Sequence, residues 1–147
     1  MRVFVQEDEY CLDLFLKDSP RDLIFQSLKQ GSRSEIIFQI KVYEKEESLL
    51  GLISDKLIRE YAVIREGKYE DYSGQYIIFS EDGKTGFSDL AMFMEEFSGL
   101  TGFSLSLPPV KDTGERYILS RITLNTVKLL PPLTILSFFL PENRIVT

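Results

Sequence analysis

The chain has no histidine, no tryptophan and a single cysteine, Cys11, in 147 residues. Without histidine the commonest general base is missing, and the usual Ser-His or Cys-His nucleophilic arrangements are excluded. One cysteine rules out an intrachain disulfide. A zinc site would lack enough nitrogen and sulfur ligands. Cys11 lies in an alternating apolar run and reads as a small buried hydrophobe. Catalysis would have to rest on Glu, Asp, Tyr or Lys, so the reading is not an enzyme: no catalytic residue, no metal and no cofactor are expected. Positive charge is also scarce, with 17 Lys and Arg against 23 Asp and Glu, a net charge of −6. The basic residues are scattered singly, which argues against nucleic acid, whose binding needs clustered cations on phosphates. The same acidity disfavours anionic lipid surfaces. No stretch approaches the ~18–20 apolar residues that span a bilayer. Met1-Arg2 leads straight into a strand-like segment and not a leader peptide. On that basis the protein is cytoplasmic, or its leader lies upstream of Met1.

Hydrophobic residues make up 44% of the chain and charged residues 27%. That is an ordinary balance for one folded domain spanning residues 1–147. A domain of this length buries roughly 70% of its unfolded surface and needs no covalent staple.

The most regular stretch is Tyr117 to Leu129. Ile118, Ser120, Ile122 and Leu124 alternate with Leu119, Arg121, Thr123 and Asn125, the pattern of a long strand with one buried face. Asp112-Thr113-Gly114 precedes it as a turn, and Pro131-Pro132 closes it. This segment is expected to be the central strand of an antiparallel sheet. Earlier strands are expected over Arg2 to Gln6 and Tyr10 to Lys17, as a hairpin, and over Glu35 to Glu44. In the last of these, Ile36, Phe38, Ile40 and Val42 share a face. Ser48 to Ser54 is ambiguous. Leu57 to Glu66 alternates again, with Ile58, Ala62 and Ile64 taken as the inward set. Gly67 to Gly74 reads as a turn-rich link, Gln75 to Ser80 as the return strand and Phe103 to Leu107 as a short extended piece.

Two short helices interrupt the strands. Ser19 and Pro20 suit the start of the first, with Asp22 in a capping-box position and Gly31 as its stop. Ser88 is read as the cap of the second, with Phe87 and Met92 as a hydrophobic staple. Leu90, Phe93, Met94 and Phe97 form its one-sided stripe, and Gly99 ends it. Residues 133–140 are apolar and read as a short helix, with strand as the alternative.

The chemical motifs are weak. Gly83-Lys84-Thr85 resembles part of a phosphate-binding loop, but Ile78 stands where the first glycine is required, so a plain turn is the reading. The acidic pairs, such as Glu46-Glu47 and Glu95-Glu96, point apart on any regular element and make no dyad. Tyr61, Tyr69, Tyr72 and Tyr76 cluster in sequence. Cross-strand packing explains them, and a recognition surface is the alternative, because Tyr and Arg are enriched at contact hot spots.

Several segments occur in a suggestive order: YCLDLFL, SPRDLIFQSLKQG, IIFQIKVY, REYAVIR, GFSDLAMF and GERYILSRITLNTVKLLPPL. The chain thereby resembles DUF4390, an uncharacterised bacterial family. The likeness covers nearly the whole chain, although the family's usual C-terminal tryptophan is missing. It implies a periplasmic or envelope location and a partner such as a membrane sensor kinase, and it carries no catalytic residues across.

The expected fold is therefore mainly β, an antiparallel sandwich of about seven strands with two short helices; α+β is the alternative. Three functions are carried forward. The first is a non-enzymatic interaction or sensor-accessory domain of the envelope, with Arg59, Tyr61, Tyr69, Tyr76, Tyr117 and Arg121 as partner-binding candidates. The second is a small-ligand or lipid binder with a pocket lined by Phe93, Phe97 and Phe103. The third is an acid/base enzyme using Glu, Asp or Tyr.

Overall fold

The computed structural model describes residues 1–7, 9–18, 20–47, 53–109, 115–127 and 145–146. The elements run β1 (Arg2–Gln6), β2 (Glu9–Phe15), α1 (Arg21–Lys29), β3 (Arg33–Glu47), β4 (Ile53–Glu70), β5 (Gln75–Ser80), β6 (Gly83–Phe87), α2 (Leu90–Ser98), β7 (Gly99–Leu105), β8 (Arg116–Val127) and β9 (Ile145–Val146). All strand pairs are antiparallel. They form a three-stranded sheet, β1-β2-β7, and a six-stranded sheet, β6-β5-β4-β3-β8-β9. The chain is thus mainly β, a two-sheet antiparallel sandwich with two short helices. Beyond the strands expected from sequence, it has β6 and the two-residue β9.

The large sheet is built on β3. Its alternating Ile36, Phe38, Ile40 and Val42 are fully buried. It pairs with β4 on one side and with β8 on the other, along most of its length. The central strand is therefore β3, and β8 lies one place from the edge. The predicted buried face of β8 is correct: Ser120, Ile122 and Leu124 are buried, and Ile118 packs against the same cluster.

The phase expected for β4 is wrong. Ile40 pairs with Tyr61, Phe38 with Val63 and Ile36 with Arg65. Directly paired residues share a face of the sheet, so Tyr61, Val63 and Arg65 point inward. Ile64 is 50% exposed on the other face. The strand also runs further than expected, through Gly67 to Glu70, so Gly67 is a strand residue and not part of a link. Glu81-Asp82 closes a tight hairpin whose flanking Ser80 and Gly83 pair, and Lys84 and Thr85 belong to β6.

The second layer comprises the small sheet and both helices. Leu12 and Leu14 of β2 and Leu100 and Leu105 of β7 join the residues of the large sheet in one core. Helix α1 contributes Ile24 and Leu28, and α2 contributes Phe93, Met94 and Phe97. The α1 N-cap is Pro20, without a side-chain cap; its carbonyl accepts from the Ile24 N–H at 3.0 Å. Ser19, expected there, lies outside the described residues. Gly31 ends α1 with φ +75°. Its N–H reaches the Leu28 carbonyl while Ser32 reaches Ser27, each at 3.0 Å, which is a Schellman closure needing a left-handed residue. The cap of α2 is Asp89, not Ser88: its carboxylate accepts from the Met92 N–H at 2.9 Å. Phe87 consequently packs edge-on against Phe93, at 6.2 Å between ring centres, while Met92 is exposed.

Two inward residues of β4 anchor α2. Gly67 leaves room for the aromatic rings, since a Cβ there would sit 2.9 Å from Phe93 Cζ and 3.1 Å from Phe97 Cε2. Arg65 donates to the Glu96 and Gly99 carbonyls at the helix's C-terminal end and pairs with the Glu96 carboxylate at 3.3 Å. A cation suits that end of a helix, where carbonyls lack intrahelical partners. The turn expected at residues 112–114, the prolines at 131–132, the segment 133–140 and residues 48–52 lie outside the described residues.

Gly67→Ala should destabilise the domain by about 1–3 kcal/mol through overpacking, measured as a lowered urea midpoint; an unchanged midpoint would contradict the close approach. Ile122→Asp should abolish the cooperative thermal transition, because it buries a carboxylate without a partner. A variant that melts like the wild type would remove Ile122 from the core.

Candidate functional site

At one end of the sandwich the chain leaves β7 through Ser106, Leu107, Pro108 and Pro109 and crosses the large sheet. Beneath this crossing is a cleft of about 560 Å³. Glu9 and Tyr10 of β2 line it, with Arg59 of β4, Arg116 of β8 and the stretch from Leu105 to Pro109. The crossing is tied down by two groups. Arg116 makes an ion pair with Glu44 at 2.7 Å, both side chains being largely buried. It also donates to the Pro108 carbonyl at 2.8 Å and the Pro109 carbonyl at 3.3 Å. Tyr61 donates its hydroxyl to the Ser106 carbonyl at 3.3 Å, and its ring meets Phe103 edge-on at 5.4 Å.

Arg59 differs from its neighbour. It sits opposite Val42 of β3, is exposed, and makes no ion pair with any described residue. A guanidinium offers five N–H donors in a planar fork that matches a carboxylate. Exposed Tyr10 stands on the same cleft, with Leu107 and Pro108 as its apolar wall. Glu9 accepts from the Ser104 hydroxyl. The arrangement can grip an acidic group at Arg59 and cover an apolar neighbour of that group. In the sequence this stretch read only as a short extended piece, Phe103 to Leu107; the convergence of β2, β4, β7 and β8 was not visible there.

The six partner-binding candidates are spread over three places. Arg59 and Tyr61 belong to the cleft. Tyr69 lies about 33 Å further along β4 than Arg59 by strand rise, and Tyr76 pairs with it from β5, the two rings tilted against each other with centres 4.9 Å apart. There they face Lys29 of α1, whose Nζ is 3.7 Å from the Tyr69 ring centre, 5.6 Å from Tyr76 and 5.9 Å from Phe25. A hydrogen bond with Tyr69 holds the Lys29 ammonium above its ordinary pKa. Tyr117 and Arg121 occupy the outer face of the large sheet. Tyr117 stacks on Tyr43 at 5.3 Å, and Arg121 lines a shallow depression with Gln39, Lys41 and Leu119.

The three phenylalanines also separate. Phe93 and Phe97 have no exposure and stack on each other at 5.2 Å. They fill the core where a pocket was expected, because Gly67 lets them sit directly on β4. Phe103 is half-buried and borders a second cleft of about 420 Å³, with Arg65 at its base and Glu81, Asp82 and Glu96 around it. Groups with displaced pKa fall at two places, Lys29 and Glu70 around Tyr69, and Lys45 and Tyr117 around Asp55; Lys45 is raised chiefly by its bond to Glu115, and none of the four lines the cleft around Arg59. Among the described residues, no set of three His, Cys, Asp or Glu side chains could hold a metal. No helix among them is long and apolar enough to cross a membrane.

No family model matches this chain, and neither a curated protein nor a solved structure does.

Tyr117 carries a pH signature. Desolvation, then a hydrogen bond to the Asp55 carboxylate, pushes its pKa up to about 12. An unfolded tyrosine ionises near ~10. The folded state thus keeps a proton that the unfolded state releases, so stability from this group is full below the unfolded value and disappears as pH rises through the folded one. The denaturation midpoint should fall between these two values, and Tyr117→Phe should fall less steeply. Identical pH profiles for the two proteins would contradict the Asp55 contact.

Proposed function

We propose that this protein is a non-enzymatic interaction domain that holds a partner at the cleft between β2, β4, β7 and β8. One observation carries the reading: Arg59 is an exposed cation without an ion-pair partner among the described residues, on a cleft whose other arginine is fully engaged. The site complements an acidic segment of the partner, with the carboxylate at Arg59 and an apolar neighbour against Tyr10, Leu107 and Pro108. The absence of histidine supports a binding role over catalysis. The resemblance to DUF4390 supports a location at the bacterial cell envelope and a partner such as a membrane sensor kinase.

The test is affinity capture from envelope extracts with wild-type and Arg59→Glu domains, followed by mass spectrometry. A partner enriched on the wild type should be lost on Arg59→Glu. The substitution is at an exposed side chain and should alter stability by no more than about 0.5 kcal/mol. Equal recovery by both domains, or no enrichment on either, would overturn the reading.

A further inference from the structure

An edge strand exposes unpaired backbone donors and acceptors, and proteins normally guard such edges with lysine, proline, bulges, glycine kinks or extreme shortness. Three of the four edges among the described residues carry such a guard. Strand β6 has Lys84 and two glycines in five residues. Strand β7 is bent by Gly102 at φ +61° and pairs with β2 through a register shift. Strand β9 is two residues long. Strand β1 has none of these; its one charged residue, Arg2, stands at its first position and is paired with Asp13 at 2.9 Å. Its five residues, Arg-Val-Phe-Val-Gln, pair with β2 in unbroken register from Arg2↔Asp13 to Gln6↔Glu9. Val3 is 39% exposed and Val5 63% exposed.

The side-chain order of β1 is also self-complementary. A two-fold axis through Phe4 would set Phe4 against Phe4 of the second copy, Val3 against Val5, and Arg2 against Gln6. The valines of both copies would form one apolar strip on one face, because alternate residues share a face. Arg2 at the start of each strand, its side chain 75% exposed beside Asp13, would approach the end of the other, where Glu7 follows Gln6. Such matching is what an isologous interface requires.

We propose that β1 is a homodimerisation edge: two copies of this chain pair antiparallel through β1, merging their three-stranded sheets into one six-stranded sheet. A contact five residues long falls below the ~1,200 Å² of a stable complex. The dimer is therefore reversible and depends on concentration. This inference is independent of the cleft around Arg59.

Sedimentation equilibrium over a wide concentration range, with the full chain, tests it. The wild type should rise from its monomer mass of 17.0 kDa toward twice that value. Phe4→Lys and Phe4→Glu each set like charges opposite one another at the axis and should stay monomeric. An equimolar mixture of the two should regain dimer, because only the mixed pair opposes Lys to Glu. Circular dichroism melting of each variant checks that both remain folded; if Phe4→Lys does not, Val5→Lys and Val3→Glu, whose mixture also restores an opposed pair, replace them. A wild type that stays monomeric throughout, folded Phe4 variants that dimerise as the wild type does, or a mixture that gains no dimer would each overturn the proposal.

Discussion

Strand β3 presents four branched or aromatic side chains, Ile36, Phe38, Ile40 and Val42, to the interior with no exposure, and its backbone is paired on both sides by β4 and β8. Everything else in the molecule is placed by that double pairing. A strand bonded on both edges has no freedom of register where one face is buried, because a slip of one residue would turn the whole apolar set to solvent. The neighbours inherit their orientation from it. Tyr61, Val63 and Arg65 face inward because they lie opposite Ile40, Phe38 and Ile36.

This inheritance explains how a charged residue and a glycine come to hold a helix. Arg65 is carried inward beside Val63, and its cost of burial is offset by the carbonyls of Glu96 and Gly99 and by the Glu96 carboxylate. Gly67, two residues on, removes the side chain that would collide with Phe93 and Phe97. The two together seat α2 over the edge of the sheet formed by β5 and β6. The same strand, near its other end, presents Arg59 to a cleft where no carbonyl or carboxylate among the described residues receives it. One strand thus carries a structural arginine and an available one, and the difference between them is what the second layer places overhead.

The small sheet has a different role. Its inner residues, Leu12, Leu14, Leu100 and Leu105, close the core, and its outflow through Pro108 and Pro109 is fastened by Arg116. Its buried Asp13 accepts from Arg2 and from the Gly102 N–H, at 3.1 and 2.9 Å. That pairing joins β1 across β2 to β7.

Much of this was legible in the chain. The alternation in β3 and β8, the hairpin of β1 and β2, the stripe of α2 and the left-handed stop at Gly31 all arise from local rules: period-2 burial, 3.6-residue periodicity and the steric freedom of glycine. Other features were beyond such rules. Both faces of β4 carry apolar residues, Tyr61 and Val63 on one and Ile58, Ala62 and Ile64 on the other, so its own pattern has no preferred phase, and only pairing with β3 chose one. Asp89 displaced Ser88 as the cap of α2, its carboxylate accepting from the Met92 N–H, and Phe93 and Phe97 became core where Gly67 leaves room for their rings. The grouping of Arg59 with Tyr61, and its separation from Tyr69, Tyr117 and Arg121, follows from positions along a strand and across its two faces. Local periodicity therefore determined which segments are strands and helices, because that preference acts over a few bonds. The tertiary structure decided which face of β4 is wet and which arginine has no ion-pair partner among the described residues, because those depend on partners brought together from distant parts of the chain.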